Sequence, residues 1–250
     1  MKILHLASFI GNVGDNASHQ GFYNILDNLI NDYTVDQLEI RKFYKNYNSI
    51  DKMFFDQSFI DKINTYDFCF IGGGGFLDYW VENSQSGTTI DISPDLLNSI
   101  KTPTLFTSIG SNPHKLIPPG NIDRFRIFLD RIIENKNIHI ALRNDGSVES
   151  FTNEIGSNYL NSFKEILDHG FFYKIKKDVN RIIDNQYVAI NITEDQLKMH
   201  SKKRGDIDID NYYNQLVITV NYIIETLKFH VVFIPHIYSD IKAITKLLDL

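Results

Sequence analysis

Only one cysteine, Cys69, occurs in the 250 residues, and it lies inside the apolar run YDFCFIGG. A lone thiol excludes an intrachain disulfide framework, and among apolar neighbours it reads as a small buried hydrophobe. Such usage fits a reducing cytoplasm. No apolar run approaches the roughly 18 residues of a membrane-spanning helix, and the N-terminus lacks the long apolar stretch of a signal peptide. Dense basic runs are scarce too. Apart from KIKK and SKKR, which read as solvated loops, Lys and Arg are scattered and the formal net charge is −6. Nothing here gives the electrostatic footprint of a nucleic-acid binder. The histidines have no ligand spacing such as H-E-x-x-H and the acids form no obvious cluster, so no metal is demanded. What is present is apolar mass: 43% hydrophobic and 13% aromatic residues, enough for a core and against disorder. The length accommodates two compact units. The expectation is a soluble, cytoplasmic protein.

Short apolar runs alternate with segments of helical period. KILHLAS (Lys2 to Ser8), DQLEIRKFY (Asp36 to Tyr44), YDFCFIG (Tyr66 to Gly72), TPTLFTSIG (Thr102 to Gly110) and IHIALRN (Ile138 to Asn144) have strand length, and several are apolar on both faces. Strands buried on both sides belong to parallel sheets covered by helices. Helices are expected over Asn16 to Ile30, Ile50 to Ile63, Pro94 to Ile100 and Ile122 to Ile133. The succession predicts an α/β, doubly wound sheet. The pattern then restarts with a strand over Tyr187 to Thr193, a helix over Asn211 to Phe229, a strand over His230 to His236 and a helix from near Asp240. The predicted division is an N-terminal Rossmann-like domain, 1–175, and the start of a second, 176–250. Two strands with one crossover helix make a poor independent sheet, so the expectation is a fragment of a longer protein.

Ligands of open α/β folds bind beyond the carboxyl ends of the strands, so the strand-end loops are the candidate site. After the first strand comes GNVGDNA. Gly11 and Gly14 are three apart with no third glycine where a dinucleotide fingerprint needs it, and Asp15 would occupy the helix terminus a pyrophosphate requires. Asp15 or Asn16 capping a helix explains part of this loop; Asn12, Gly14 and Asn16 together suit the hydroxyl groups of a polar ligand. The third strand ends in Gly72 to Gly75, where bare backbone permits close approach and an anion nest. Gly73, Gly74 and Gly75 are therefore candidate binding residues. A fourth end carries Ser108, Gly110 and Ser111. At the fifth, Arg143 is followed by Asp145 and Ser147. These read either as an ion pair beside a helix cap or as a guanidinium fork for phosphate or carboxylate, held by Asp145. His236 follows Pro235 at the last strand end, as a turn residue or as a catalyst facing an interdomain cleft.

Taken in order, GNVGDNA, FIGGGGFL, SIG, ALRNDGS, DHGFF and VFIPH resemble the polysaccharide pyruvyltransferase family, which is similar in fold to type B glycosyltransferases with two Rossmann-like domains. The resemblance implies transfer of the pyruvyl unit of phosphoenolpyruvate onto a sugar as a ketal, with release of phosphate. It implies phosphoenolpyruvate as co-substrate with no separate cofactor and Arg143 holding it; the strand-end position of His236 makes it the second catalytic candidate. The acceptor would be a sugar or lipid-linked oligosaccharide, which would bring the chain peripherally to a membrane; a homo-oligomer is compatible. DHGFF departs from the family by placing His169 where many members have a proline. The family's later basic residue and histidine have no counterpart before Leu250, so this polypeptide alone is expected to bind weakly and catalyse nothing. A glycosyltransferase using a nucleotide-sugar donor, and a non-catalytic binding protein on the same scaffold, are the alternatives.

Overall fold

A computed structural model describes residues 1–113, 115–175, 183–194, 197 and 207–250. The chain divides into two compact units, Met1–Ile10 with Asp15–Tyr173, and Gly11–Gly14 with Lys174–Leu250. SKKR and the end of KIKK lie outside the described residues.

In the first unit six strands form one sheet: β1 (Lys2–Ala7), β2 (Thr34–Glu39), β3 (Phe68–Gly74), β4 (Thr104–Ile109), β5 (Ile138–Arg143) and β6 (Lys164–Ile166). Their order is β2-β1-β3-β4-β5-β6 and every pairing is parallel. Apolar residues on both faces are the cause: parallel strands must be covered on both sides. In β1 and β3, Leu4, Leu6, Cys69 and Ile71 enter one core and Ile3 and Phe70 the other, the alternation that a pleated strand imposes. The larger core receives Phe59, Ile60 and Ile63 of α2 (Gln57–Ile63), Leu97 of α3 (Pro94–Leu97), and Phe125, Phe128, Leu129 and Ile132 of α4 (Asn121–Glu134). The smaller core receives Phe22 and Leu26 of α1 (Val13–Leu29). A short helix α5 (Ser147–Ser150) follows β5 and runs into a π-type turn, Phe151–Ile155. Strand order reverses between β1 and β3, which makes the carboxyl ends of those two strands the topological switch point.

Several elements differ from expectation for local reasons. α1 starts at Val13, before Asn16, because the Asn12 side-chain oxygen accepts the Gly14 N–H at 2.8 Å, an N-terminal cap set earlier than Asp15 or Asn16. α2 starts at Gln57 because Asp56 accepts from Ser58 and Phe59 N–H. β6 consists of only Lys-Glu-Ile at the sheet edge, without an apolar run to announce it. β4 carries a register shift between Thr107 and Ile109, with Ser108 at φ 47°. The bulge brings the Thr107 carbonyl so close to Gly72 that a Cβ there would lie 1.8 Å from its oxygen, so this position must be glycine.

The second unit has a two-stranded parallel sheet, β7 (Tyr187–Ile190) and β8 (His230–Phe233). Helix α6 (Ile209–Asn221) continues through a π-type turn, Tyr222–Thr226, and α7 (Tyr238–Leu248) follows β8. Ile192, Tyr213, Ala243 and Leu247 form its core. Within this unit Asn12 bridges Ile237 antiparallel, and Val13 N–H donates to the His236 carbonyl at 3.1 Å. No helix among the described residues is long and apolar enough to cross a membrane.

Candidate functional site

The site is built from the carboxyl end of β5 outward. Arg143, the last residue of that strand, donates from Nε to Asp145 Oδ2 at 2.5 Å, and its Nη1 lies 3.6 Å from Asp168 Oδ2. Gly110, just past β4, clears the space: a Cβ there would lie 2.7 Å from Asp145 Oδ2 and 2.9 Å from Arg143 Nη2. Asp145 Oδ1 accepts from the Ser147 N–H and from the Ser147 hydroxyl. The Ser147 hydroxyl is buried and also accepts the Ser111 N–H at 2.8 Å. Ser147 is therefore a structural tie between two loops, although it was expected to bind ligand.

Further carboxylates converge on the same guanidinium. Asp168 spends Oδ1 on the Gly170 N–H at 2.7 Å, and its Oδ2 accepts from the Ser108 hydroxyl at 3.2 Å. Ser108 Oγ in turn accepts the His169 N–H. Ser108 is wholly buried and its hydroxyl is engaged by Asp168 and the His169 N–H, so it positions Asp168. Asp78 accepts the Asn112 N–H at 2.8 Å and lies against Gly75. Burial raises Asp78 to about 6, against the pull of the Asn112 N–H and Arg143. Burial likewise raises Asp15 to about 6, with the Ser8 hydroxyl, Arg41 and Arg143 pulling it down. Burial would lower Arg143, but Asp145, Asp168 and Asp78 outweigh it and the guanidinium is held charged. One cation thus faces four carboxyl groups. The sequence showed no acidic cluster because its members follow different strands of the sheet.

The glycine run is mainly a packing device. Gly72 meets Thr107 across the sheet, and a Cβ on Gly74 would strike the Phe76 ring at 2.7 Å. Gly73 has φ 71°, a conformation that favours glycine, and it packs against His19 and Ser18. Asn12 is committed to its cap, and Asn16 and His236 are exposed. His236 donates its N–H to Asp240 Oδ2 at 2.8 Å within the second unit. Among the described residues no group of three His, Cys, Asp or Glu side chains could hold a metal ion.

Asp78, Asp168 and a set of buried histidines join the site without a sequence motif that names them. His5 and His19 meet edge to face at 4.8 Å. His5 Nδ1 is hydrogen-bonded to the Tyr23 hydroxyl at 2.7 Å. His169 stacks on Phe22 at 4.6 Å, and its Nε2 is hydrogen-bonded to Thr107 Oγ1 at 3.0 Å. Burial is the first cause holding all three below the ordinary histidine range, with His169 at about 4; for His5, the neighbouring His19 and His169 add to it. A signal existed: His19 lies one turn beyond Asp15 on α1, and Asp168 immediately precedes His169. The chain matches no family model, no curated protein and no solved structure.

Proposed function

We propose that the chain is a transferase that moves the pyruvyl group of phosphoenolpyruvate onto a sugar as a ketal, with the strand ends of the first unit as the acceptor wall. On this reading the fold belongs with the two-domain type B transferases. The observation that carries it is the setting of Arg143: a guanidinium pinned through Nε by Asp145, at a parallel-sheet edge cleared by Gly110 and ringed by Asp78, Asp168 and Asp15. Carboxylates in that number accept hydrogen bonds from hydroxyl groups, and one planar cation grips one carboxylate or phosphate. They also repel a trianion. This wall then takes the sugar and one anionic end of phosphoenolpyruvate.

Replacing Arg143 by Lys tests the reading, because a point charge cannot reproduce the two-pronged geometry. With phosphoenolpyruvate and galactose-, glucose- and mannose-type acceptors, phosphate release by the complete two-domain protein should fall to a small fraction in Arg143→Lys while the melting temperature holds. Equal release by both proteins would remove Arg143 from the site. Release of nucleoside diphosphate from a sugar nucleotide, with none of phosphate from phosphoenolpyruvate, would favour glycosyl transfer.

A further inference from the structure

At the switch point between β1 and β3, two polar side chains of α1 border the bare backbone of Gly73. His19 is 4% exposed and Ser18 3% exposed. A Cβ built on Gly73 would lie 2.9 Å from His19 Nδ1 and 3.4 Å from Ser18 Oγ, so no side chain can stand there and both polar atoms look onto the same stretch of main chain. The two nitrogens of His19 are not equivalent. Nε2 donates to the Ser8 carbonyl at 2.8 Å. A carbonyl only accepts, so the neutral ring carries its proton on Nε2 and presents a lone pair at Nδ1. The Ser18 hydroxyl is buried without a hydrogen-bond partner. Buried hydroxyls are seldom left so, and one beside a free acceptor lone pair fits a ligand group that can both donate and accept.

We propose that Ser18 Oγ and His19 Nδ1 form a hydroxyl-binding subsite at Gly73, in which a sugar hydroxyl donates to Nδ1 and accepts from the Ser18 hydroxyl. The surroundings suit a neutral imidazole. Burial lowers its pKa, while the Ser8 carbonyl, Glu39 and Asp168 pull it back; His5 and Phe9 pack against the ring. The subsite deepens the transfer reading above and gives His19 a task in it. The hydroxyl oxygen bonds to C2 of the pyruvyl unit while its proton passes to Nδ1. The second hydroxyl supplies the proton that turns the methylene into a methyl, its oxygen then bonds to C2 as the bond between C2 and the phosphate oxygen breaks, and the proton held at Nδ1 departs with the phosphate. Atoms and charge then balance without a further reactant.

Long-range proton–nitrogen NMR correlation on the full chain, labelled at histidine, reads the proposal directly. At pH 7.5 His19 should show a protonated Nε2 and a bare Nδ1. Methyl α-galactopyranoside, α-glucopyranoside or α-mannopyranoside should shift Nδ1 while exposed His139 stays unmoved, and Ser18→Ala should weaken that sugar about three- to tenfold. His19→Gln should lower phosphate release about 100-fold, the lower range for a proton-transfer group. A protonated Nδ1, or His19 signals unmoved by all three sugars up to their solubility, overturns the subsite. Sugar-induced shifts without any phosphate release would keep the subsite and sink pyruvyl transfer. Phosphate release unchanged in His19→Gln would keep pyruvyl transfer and remove His19 from it.

Discussion

Protonation of His169 should be felt as lost stability, and its size follows from the site. The ring is 5% exposed, stacked on Phe22 and hydrogen-bonded to Thr107, and burial holds its pKa at about 4 against 6.5 for an ordinary histidine. An unfolded chain binds the proton near 6.5 and the folded one only near 4. Between those values the unfolded state holds more protons, so stability falls as pH falls. At about 1.4 kcal/mol per unit the span amounts to roughly 3 kcal/mol. Wild-type data alone will not display it. Asp15 and Asp78, raised to about 6 from 3.8, act in the opposite sense: their folded forms take up protons first, and stability rises as pH falls from about 6 towards 3.8.

The difference between wild type and His169→Gln isolates the histidine. Glutamine keeps a polar atom near Nε2 for Thr107 and cannot titrate. At pH 7 the variant should be less stable, because the stack on Phe22 is lost. Urea unfolding from pH 7 to pH 4 should show this deficit shrinking by about 3 kcal/mol, with the change beginning near 6.5. A deficit that stays constant across the range would refute the reasoning, since it would mean His169 titrates alike folded and unfolded.

Two further outcomes test the packing. Gly72→Ala should destabilise the first unit by about 3 kcal/mol or more in urea unfolding, because its Cβ would lie 1.8 Å from the Thr107 carbonyl oxygen in the middle of a sheet; wild-type stability would mean the bulge in β4 yields freely. Phe125→Ala should cost about 3–5 kcal/mol by the same measurement, since this α4 ring is 0% exposed and packed against Tyr79, Phe128 and Phe151; a loss under about 1 kcal/mol would place α4 off the sheet.

Legibility tracks how local each feature is. The strands of the first unit were readable because Leu4, Leu6, Cys69, Ile71 and Phe106 are apolar for the same reason they are buried: a parallel sheet is covered on both faces. Their ends were less so. A hydrophobic run does not say where its hydrogen-bond ladder stops, and DQLEIRKFY passes from β2 straight into a 3-10 turn at Ile40. The pairing of Arg143 with Asp145, and of Asp145 with Ser147, was also legible, because residues two apart on a strand-to-helix turn must find each other.

The rest of the site was not, and the reason is distance along the chain. Ser108 and Asp168 are 60 residues apart and Thr107 and His169 are 62 apart; only the assembled sheet makes them neighbours. The glycine run shows the same limit from the other side. Four glycines in a row announce close approach but not what approaches. For Gly72 it is the neighbouring strand's carbonyl, for Gly74 an aromatic ring of the same loop, and for Gly73 an imidazole from α1. Of the three only the last brings groups with unspent hydrogen-bonding capacity. Gly73 is also where a left-handed backbone and the absence of a side chain are both required. Sequence alone does not separate Gly73 from Gly74 and Gly75; packing singles out the one beside Ser18 and His19.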